Sequence, residues 1–164
     1  MSNQTAWHLI YTKPRQERTA REQLERQGYT TYLPEIRQSS QSHKPIAPLF
    51  PRYLFIRLTA GRDDWTPIRS TRGVSSLVRV GMKPATIPDQ LISAIRKRAD
   101  ADGFHRLGND TLKMGDRVRL VSGPFADYEA IFSEKRAENR AIILLNLIGK
   151  QNRIEVSAHN IALF

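Results

Sequence analysis

Residues 6–14 read A-W-H-L-I-Y-T-K-P, and the way this stretch divides decides the fold. Ala6 to Thr12 alternates apolar residues with others in part, as a half-buried strand does. Pro14 follows where the start of a helix tolerates a missing N–H. A helix is predicted from there to about Gln27, with Gly28 as its stop. Its apolar stripe is thin, chiefly Ala20 and Leu24, so most of it faces water or a partner. At ~100° per residue, Arg15, Gln16, Gln23, Arg26 and Gln27 fall within roughly one third of the helical wheel. Guanidinium groups hold phosphates and amides read base edges, so this face is either a nucleic-acid contact or a solubilising surface.

Working outward, Tyr29 to Leu33 reads as a second strand, and the polar stretch 35–47 as a mobile loop. Leu49 to Leu58 reads as a third strand with Tyr53, Phe55 and Arg57 on one face. Asp63 is placed to cap a short helix containing Trp65 and Ile68. Gly73 marks a turn before a fourth strand, Val74 to Val80, and Pro88 opens a helix to about Ala99 whose apolar side is Leu91, Ile92 and Ile95. This order predicts an α+β domain over residues 1–100, with helices packed on an antiparallel sheet. Residues 101–112, with two glycines and little periodicity, read as a linker.

Residues 113–164 support two readings. Val118, Leu120 and Ser122 alternate as in a strand, Gly123-Pro124 reads as a turn, and a segment of this size can close into a small β-barrel. Yet Ala126 to Ile148 contains no Gly or Pro and is rich in helix formers from Glu134 to Glu138. Tyr128, Ile131, Phe132, Ala141, Leu144, Leu145 and Ile148 can also lie near one helical face.

The formal net charge is +10, and it is unevenly spread. Residues 1–100 hold 17 Lys and Arg against 8 Asp and Glu, whereas residues 101–164 hold 9 against 8, so a polyanionic partner is expected for the first part only. The absence of cysteine excludes disulfides and thiol catalysis. His8, His43, His105 and His159 are scattered without metal-ligand spacing, and no nucleophile elbow or phosphate-binding glycine loop occurs. We therefore expect no enzyme, no metal and no cofactor. No apolar run approaches the ~20 residues of a membrane span, and no secretion signal opens the chain, so a soluble cytoplasmic protein is expected; it is also read as a monomer.

Three stretches carry a resemblance: W-H-L-I-Y-T-K-P-R-Q-E (Trp7 to Glu17), P-L-F-P-R-Y-L-F-I (Pro48 to Ile56) and T-R-G-V-S-S-L-V-R-V-G (Thr71 to Gly81). In this order they resemble the N-terminal domain of the NusG family of transcription elongation factors. G-D-R-V-R-L-V-S-G-P-F (Gly115 to Phe125) is similar to the KOW motif of the family's C-terminal domain. The stretches Phe125 to Glu134 and Ile143 to Lys150 resemble the specialised RfaH-like branch. That resemblance implies an operon-specific elongation and antitermination factor that suppresses pausing and Rho-dependent termination. Its C-terminal domain would alternate between a docked helical hairpin and a released KOW-type β-barrel. The latter form can contact a small-subunit ribosomal protein and couple transcription to translation.

The resemblance also assigns residues. Tyr11, Phe50, Tyr53 and Phe55 match the aromatic pocket for the β′ clamp helices of RNA polymerase. Lys13, Arg26, Gln27, Thr71 and Arg72 match positions that hold nontemplate-strand DNA. Arg140 matches the arginine of an interdomain ion pair, whose acidic partner position here is Ala47. The stretch that meets the polymerase β gate loop is His-Thr-Thr in the branch and Asp64-Trp65-Thr66 here; Trp65 looks more like a general NusG factor. A free RNA-binding module stands as a further alternative, on the aromatic strand Pro51 to Leu58.

Overall fold

The computed structural model describes residues 4–37, 46–106 and 126–162. Its elements run β1 (Thr5–Thr12), α1 (Glu17–Arg26), β2 (Thr30–Tyr32), β3 (Glu35–Arg37), β4 (Ile46–Pro48) and β5 (Tyr53–Thr59). A 3-10 turn (Thr66–Ile68) leads to β6 (Val74–Leu77), β7 (Arg79–Val80), β8 (Lys83–Pro84) and β9 (Thr86–Ile87). Next come α2 (Asp89–Lys97), β10 (Phe104–His105), α3 (Ala126–Ser133) and α4 (Ala137–Ala162).

The main sheet has the order β2-β5-β1-β6, with β9 also on β1. β1 and β5 pair antiparallel without a break from Thr5↔Thr59 to Tyr11↔Tyr53. Alternation along these strands makes two apolar faces. Ile10, Leu54, Ile56 and Leu58 bury one against Ala20 and Leu24 of α1, Ile68 and Val74. Trp7, Leu9 and Phe55 face the other way and join Phe50 and the α2 stripe Leu91, Ile92 and Ile95. The α+β reading of the first part is thus the fold. Gly73 is essential to it, because its φ is +90° and a Cβ there would meet the Ala20 nitrogen at 2.8 Å. Only a bare backbone lets this turn lie against α1.

Several local expectations are corrected. The stretch 35–47 is not one loop, because Glu35–Arg37 and Ile46–Pro48 pair antiparallel; residues 38–45 lie outside the described ones. Ile36 anchors that pair in the core, and the carboxylate of Glu35 is held by Arg18 at 2.7 Å and Arg21 at 3.7 Å. The strand predicted from Leu49 begins at Tyr53, since Leu49 and Phe50 lie in bends and Arg52 has a φ of +72°. Asp63 does not cap the 3-10 turn. Its carboxylate accepts the Thr59 amide at 2.6 Å, and Asp64 accepts that of Thr66 at 2.9 Å. The predicted strand Val74 to Val80 splits, its second part pairing with Lys83–Pro84 in a separate ribbon. Within the predicted linker, Phe104 and His105 pair parallel with β3, so this part is built into the domain; residues 107–112 lie outside the described ones.

Ala126–Ser133 and Ala137–Ala162 are helical, which is the second of the two readings of the C-terminal part. The KOW-like stretch 115–125 lies outside the described residues. α3 and α4 pack on each other and on the sheet face that carries Phe55. Along α4, among the described side chains up to Asn152, the buried positions are Arg140, Ala141, Leu144, Leu147, Ile148 and Asn152, the three-and-four spacing of one helix face. Among the described residues no helix is long and apolar enough to cross a membrane.

Candidate docking face and nucleic-acid edge

The register of β1 and β5 lines up rings on one side of the sheet. Tyr11 stands opposite Tyr53, their ring centroids 5.3 Å apart. Phe55 follows two residues on, edge-to-face with Phe50 at 6.1 Å and stacked with Tyr32 at 6.1 Å. Arg52 closes the open end, its guanidinium 4.1 Å above the Tyr11 ring. The positive φ of Arg52 is strained for a side chain of its size, and the neighbours hold it there. Its amide donates to the buried Glu17 carboxylate at 2.9 Å and its Nε to the Thr12 carbonyl at 3.1 Å. At the other end Arg96 lies over Tyr32 at 4.8 Å and Trp7 at 5.5 Å. Burial pushes the Tyr32 hydroxyl up to about 12 despite that cation, and burial also raises Tyr53.

The sequence expectation grouped Tyr11, Phe50, Tyr53 and Phe55, and the structure brings all four together. They are not equally open. Tyr11 and Tyr53 are half-buried, whereas Phe50 and Phe55 are buried in a cluster shared with Tyr128 and Ile131 of α3 and Leu144, Leu147 and Ile148 of α4. Trp7 and Tyr32 belong to the same row and were missed. The alternation Trp7, Leu9, Tyr11 is the signal that could have found Trp7.

Polar contacts pin the hairpin at both ends. Arg140 is buried, donating from Nε to the Leu49 carbonyl at 2.9 Å and from a terminal nitrogen to the carbonyls of Lys135 at 3.0 Å and Glu134 at 3.3 Å. Burial lowers its pKa, and the nearby Glu134 charge opposes that shift. The arginine thus crosses from α4 to a backbone carbonyl of the first part of the chain. Twelve residues further along α4, the Asn152 amide donates to the Thr86 carbonyl at 3.3 Å, and its oxygen accepts the Thr86 hydroxyl at 3.1 Å. Between the pins, Arg98, just past the end of α2, pairs with Glu129 of α3 and lies 4.4 Å over Phe132, which stacks on His105 at 6.1 Å.

The candidate DNA residues lie around α1. The Lys13 amide donates to the Gly73 carbonyl at 2.9 Å, and Gln27 Nε2 donates to Thr71 Oγ1 at 2.8 Å, so the turn 71–73 runs along the helix. Lys13, Arg26, Gln27 and Arg72 are exposed. Thr71 is buried: its hydroxyl donates to the Pro67 carbonyl at 2.8 Å while accepting from Gln27, so it orients that glutamine from below. On the Asp64-Trp65-Thr66 stretch, Trp65 turns inward and meets the buried His8 ring edge-on at 4.8 Å. Burial lowers the His8 pKa.

A family model described as "Transcription termination factor nusG" matches residues 5–96, more than half of the chain. The chain belongs to the NusG family. The Transcription termination/antitermination protein NusG of Thermus thermophilus is 26% identical over 176 aligned positions, covering 92% of this chain and 94% of that protein. Its Deinococcus radiodurans counterpart is 27% identical, covering 95% and 97%. A solved structure described as "Domain interaction in Thermotoga maritima NusG" aligns with 57% of this chain and 56% of that one, at 20% identity and a TM-score of 0.43. This NusG-family chain is accordingly a transcription termination/antitermination factor and not an enzyme.

Proposed function

We propose that this NusG-family protein is an RfaH-like, operon-specific antitermination factor whose C-terminal hairpin masks its polymerase-docking face. The observation that carries the reading is the helical hairpin packed over Phe50 and Phe55. In the open state Tyr11, Phe50, Tyr53 and Phe55 would receive the β′ clamp helices, each ring offering a large apolar area with few rotatable bonds. Lys13, Arg26, Gln27 and Arg72, with Thr71 beneath them, would hold the nontemplate strand. The factor would then suppress pausing and Rho-dependent termination. Residues 1–100 form the NusG-type domain in this reading, and 113–164 the segment that undocks to a KOW-type barrel and meets a small-subunit ribosomal protein.

A general NusG-like factor is the second reading. The packing of Trp65 favours it, because that half-buried ring rests on His8 and the apolar cluster beneath α1. Binding of the full-length chain to paused elongation complexes separates the two. Dependence on nontemplate sequence is expected for the operon-specific factor, and equal binding to scrambled strands would favour the general one. Tyr53→Ala, at a half-buried ring, is expected to reduce polymerase capture at least tenfold if it is a docking hot spot of about 2 kcal/mol. If it spared capture and abolished binding to naked RNA, the free RNA-binding module would replace both readings.

A further inference from the structure

The face that carries Tyr53 and Phe55 continues past the aromatic row to Arg57, which stands opposite both Trp7 and Thr30. Beside it a groove of about 290 Å³ is floored by Thr5, Thr30 and Thr59 and rimmed by Arg57 and Arg62. Both arginines are exposed, and neither has an acidic partner within ion-pair distance among the described residues. Asp63 also lines the groove, one of its oxygens accepting the Thr59 amide at 2.6 Å, so two arginines against one carboxylate leave the lining net positive. Two guanidinium groups over a hydroxyl floor suit phosphate: the forks meet its oxygens two at a time, and beside them the Thr30 hydroxyl and the one proton that the Thr5–Thr59 hydroxyl pair, 2.8 Å apart, leaves over can donate. Among the described residues, none of α3 or α4 lines the groove. The groove also begins at Gly28, the residue after Gln27, where the candidate nucleic-acid edge ends.

We propose that this groove is a phosphate-binding extension of that edge, in which Arg57 and Arg62 grip the backbone of a single nucleic-acid strand passing over Gly28. The inference rests on the reading that Arg26 and Gln27 meet such a strand. It adds a sequence-independent grip. The geometry does not select for bases here, since the groove offers cations and hydroxyls without a ring to stack on.

The test is fluorescence anisotropy of a short single-stranded oligodeoxynucleotide of mixed sequence with the full-length protein over a salt series. Removing two phosphate contacts with Arg57→Ala/Arg62→Ala is expected to flatten the slope of log affinity against log salt by about 1.4, at ~0.7 per phosphate. Lys97→Ala, an exposed cation on α2, should leave the slope unchanged, and matching melting temperatures would show that each variant is folded. If Arg26→Ala weakens binding while the double variant does not, the groove takes no phosphate and only this inference fails. If the parent protein does not bind the strand at all, the nucleic-acid edge fails and the groove proposal with it. Unchanged strand binding with reduced polymerase capture would assign the groove to an acidic protein surface and overturn the proposal.

Discussion

Arg140 is a charged side chain at 2% exposure whose hydrogen bonds go to three backbone carbonyls. One of them, Leu49, belongs to the NusG-type domain, so the arginine serves both the turn between α3 and α4 and the interface. Arg140→Ala leaves those carbonyls in a poorly solvated place, and bonds to charged groups contribute about 1.5–3 kcal/mol each. The expected outcome is a loosened hairpin, seen as increased capture of RNA polymerase by the full-length variant; capture at the parent level would show that the apolar contacts suffice. His105 makes a second residue-scale prediction. Its ring is buried against Phe132 with Nε2 unpartnered, and Asp100, Arg98 and Arg140 surround it. Burial lowers its pKa from 6.5, the two arginines add to that, and Asp100 opposes them. The folded form therefore prefers the neutral ring. Its stabilisation is complete above about pH 6.5 and is lost as pH falls below that value toward the depressed pKa. Buried His8 pulls in the same direction from the other face of the sheet, so the two must be separated. Acid should loosen the hairpin in the parent and in His8→Gln but much less in His105→Gln, with polymerase capture at two pH values as the measurement. Equal acid sensitivity of His105→Gln and the parent would remove His105 from this role.

Among the elements, α4 carries the interface. Leu144 is fully buried at the middle of its contact face, between the Arg140 and Asn152 pins, and Leu147 and Ile148 follow one turn on. Truncating such a residue costs about 2–5 kcal/mol, depending on how far the site collapses. Leu144→Ala should therefore undock the hairpin, raise polymerase capture and change the far-ultraviolet circular dichroism as helix is lost. Increased capture with unchanged dichroism would mean that the hairpin leaves the sheet as helices, counting against a refolding switch. The contrast with α1 is instructive. α1 buries only Glu17, Ala20 and Leu24, and its remaining surface is available to a partner, as its thin apolar stripe implied. The two short strands β3 and β4 were not legible, because three residues each give no period to read. They pair because Ile36 reaches the core and two arginines of α1 hold Glu35.

At the scale of the molecule, a sheet is buried on both faces, one by α1 and the other by α2 and the hairpin. The sequence alone was enough for the α+β class, the central strand, both helices of the first part and the alternation that puts Tyr53, Phe55 and Arg57 on one side. Periodicity and punctuation by Gly and Pro are local properties, and a chain carries them before it folds. It was also enough to show that residues 126–148 could be helical, but not that they are. The alternation of Val118, Leu120 and Ser122 pointed to a strand, the apolar residues from Tyr128 to Ile148 to a helix face, and which form the segment takes depends on what surface waits to be covered. Only the tertiary structure decided that: it stacked Trp7, Tyr32, Phe50 and Phe55 from segments distant in sequence into one apolar face, and a helix with apolar residues at three-and-four spacing covers it. The same long-range pairing put Arg57 beside Thr5 and Thr30, and buried Thr71 beneath Gln27. Burial and contact are properties of the assembled molecule, because they depend on residues far away along the chain.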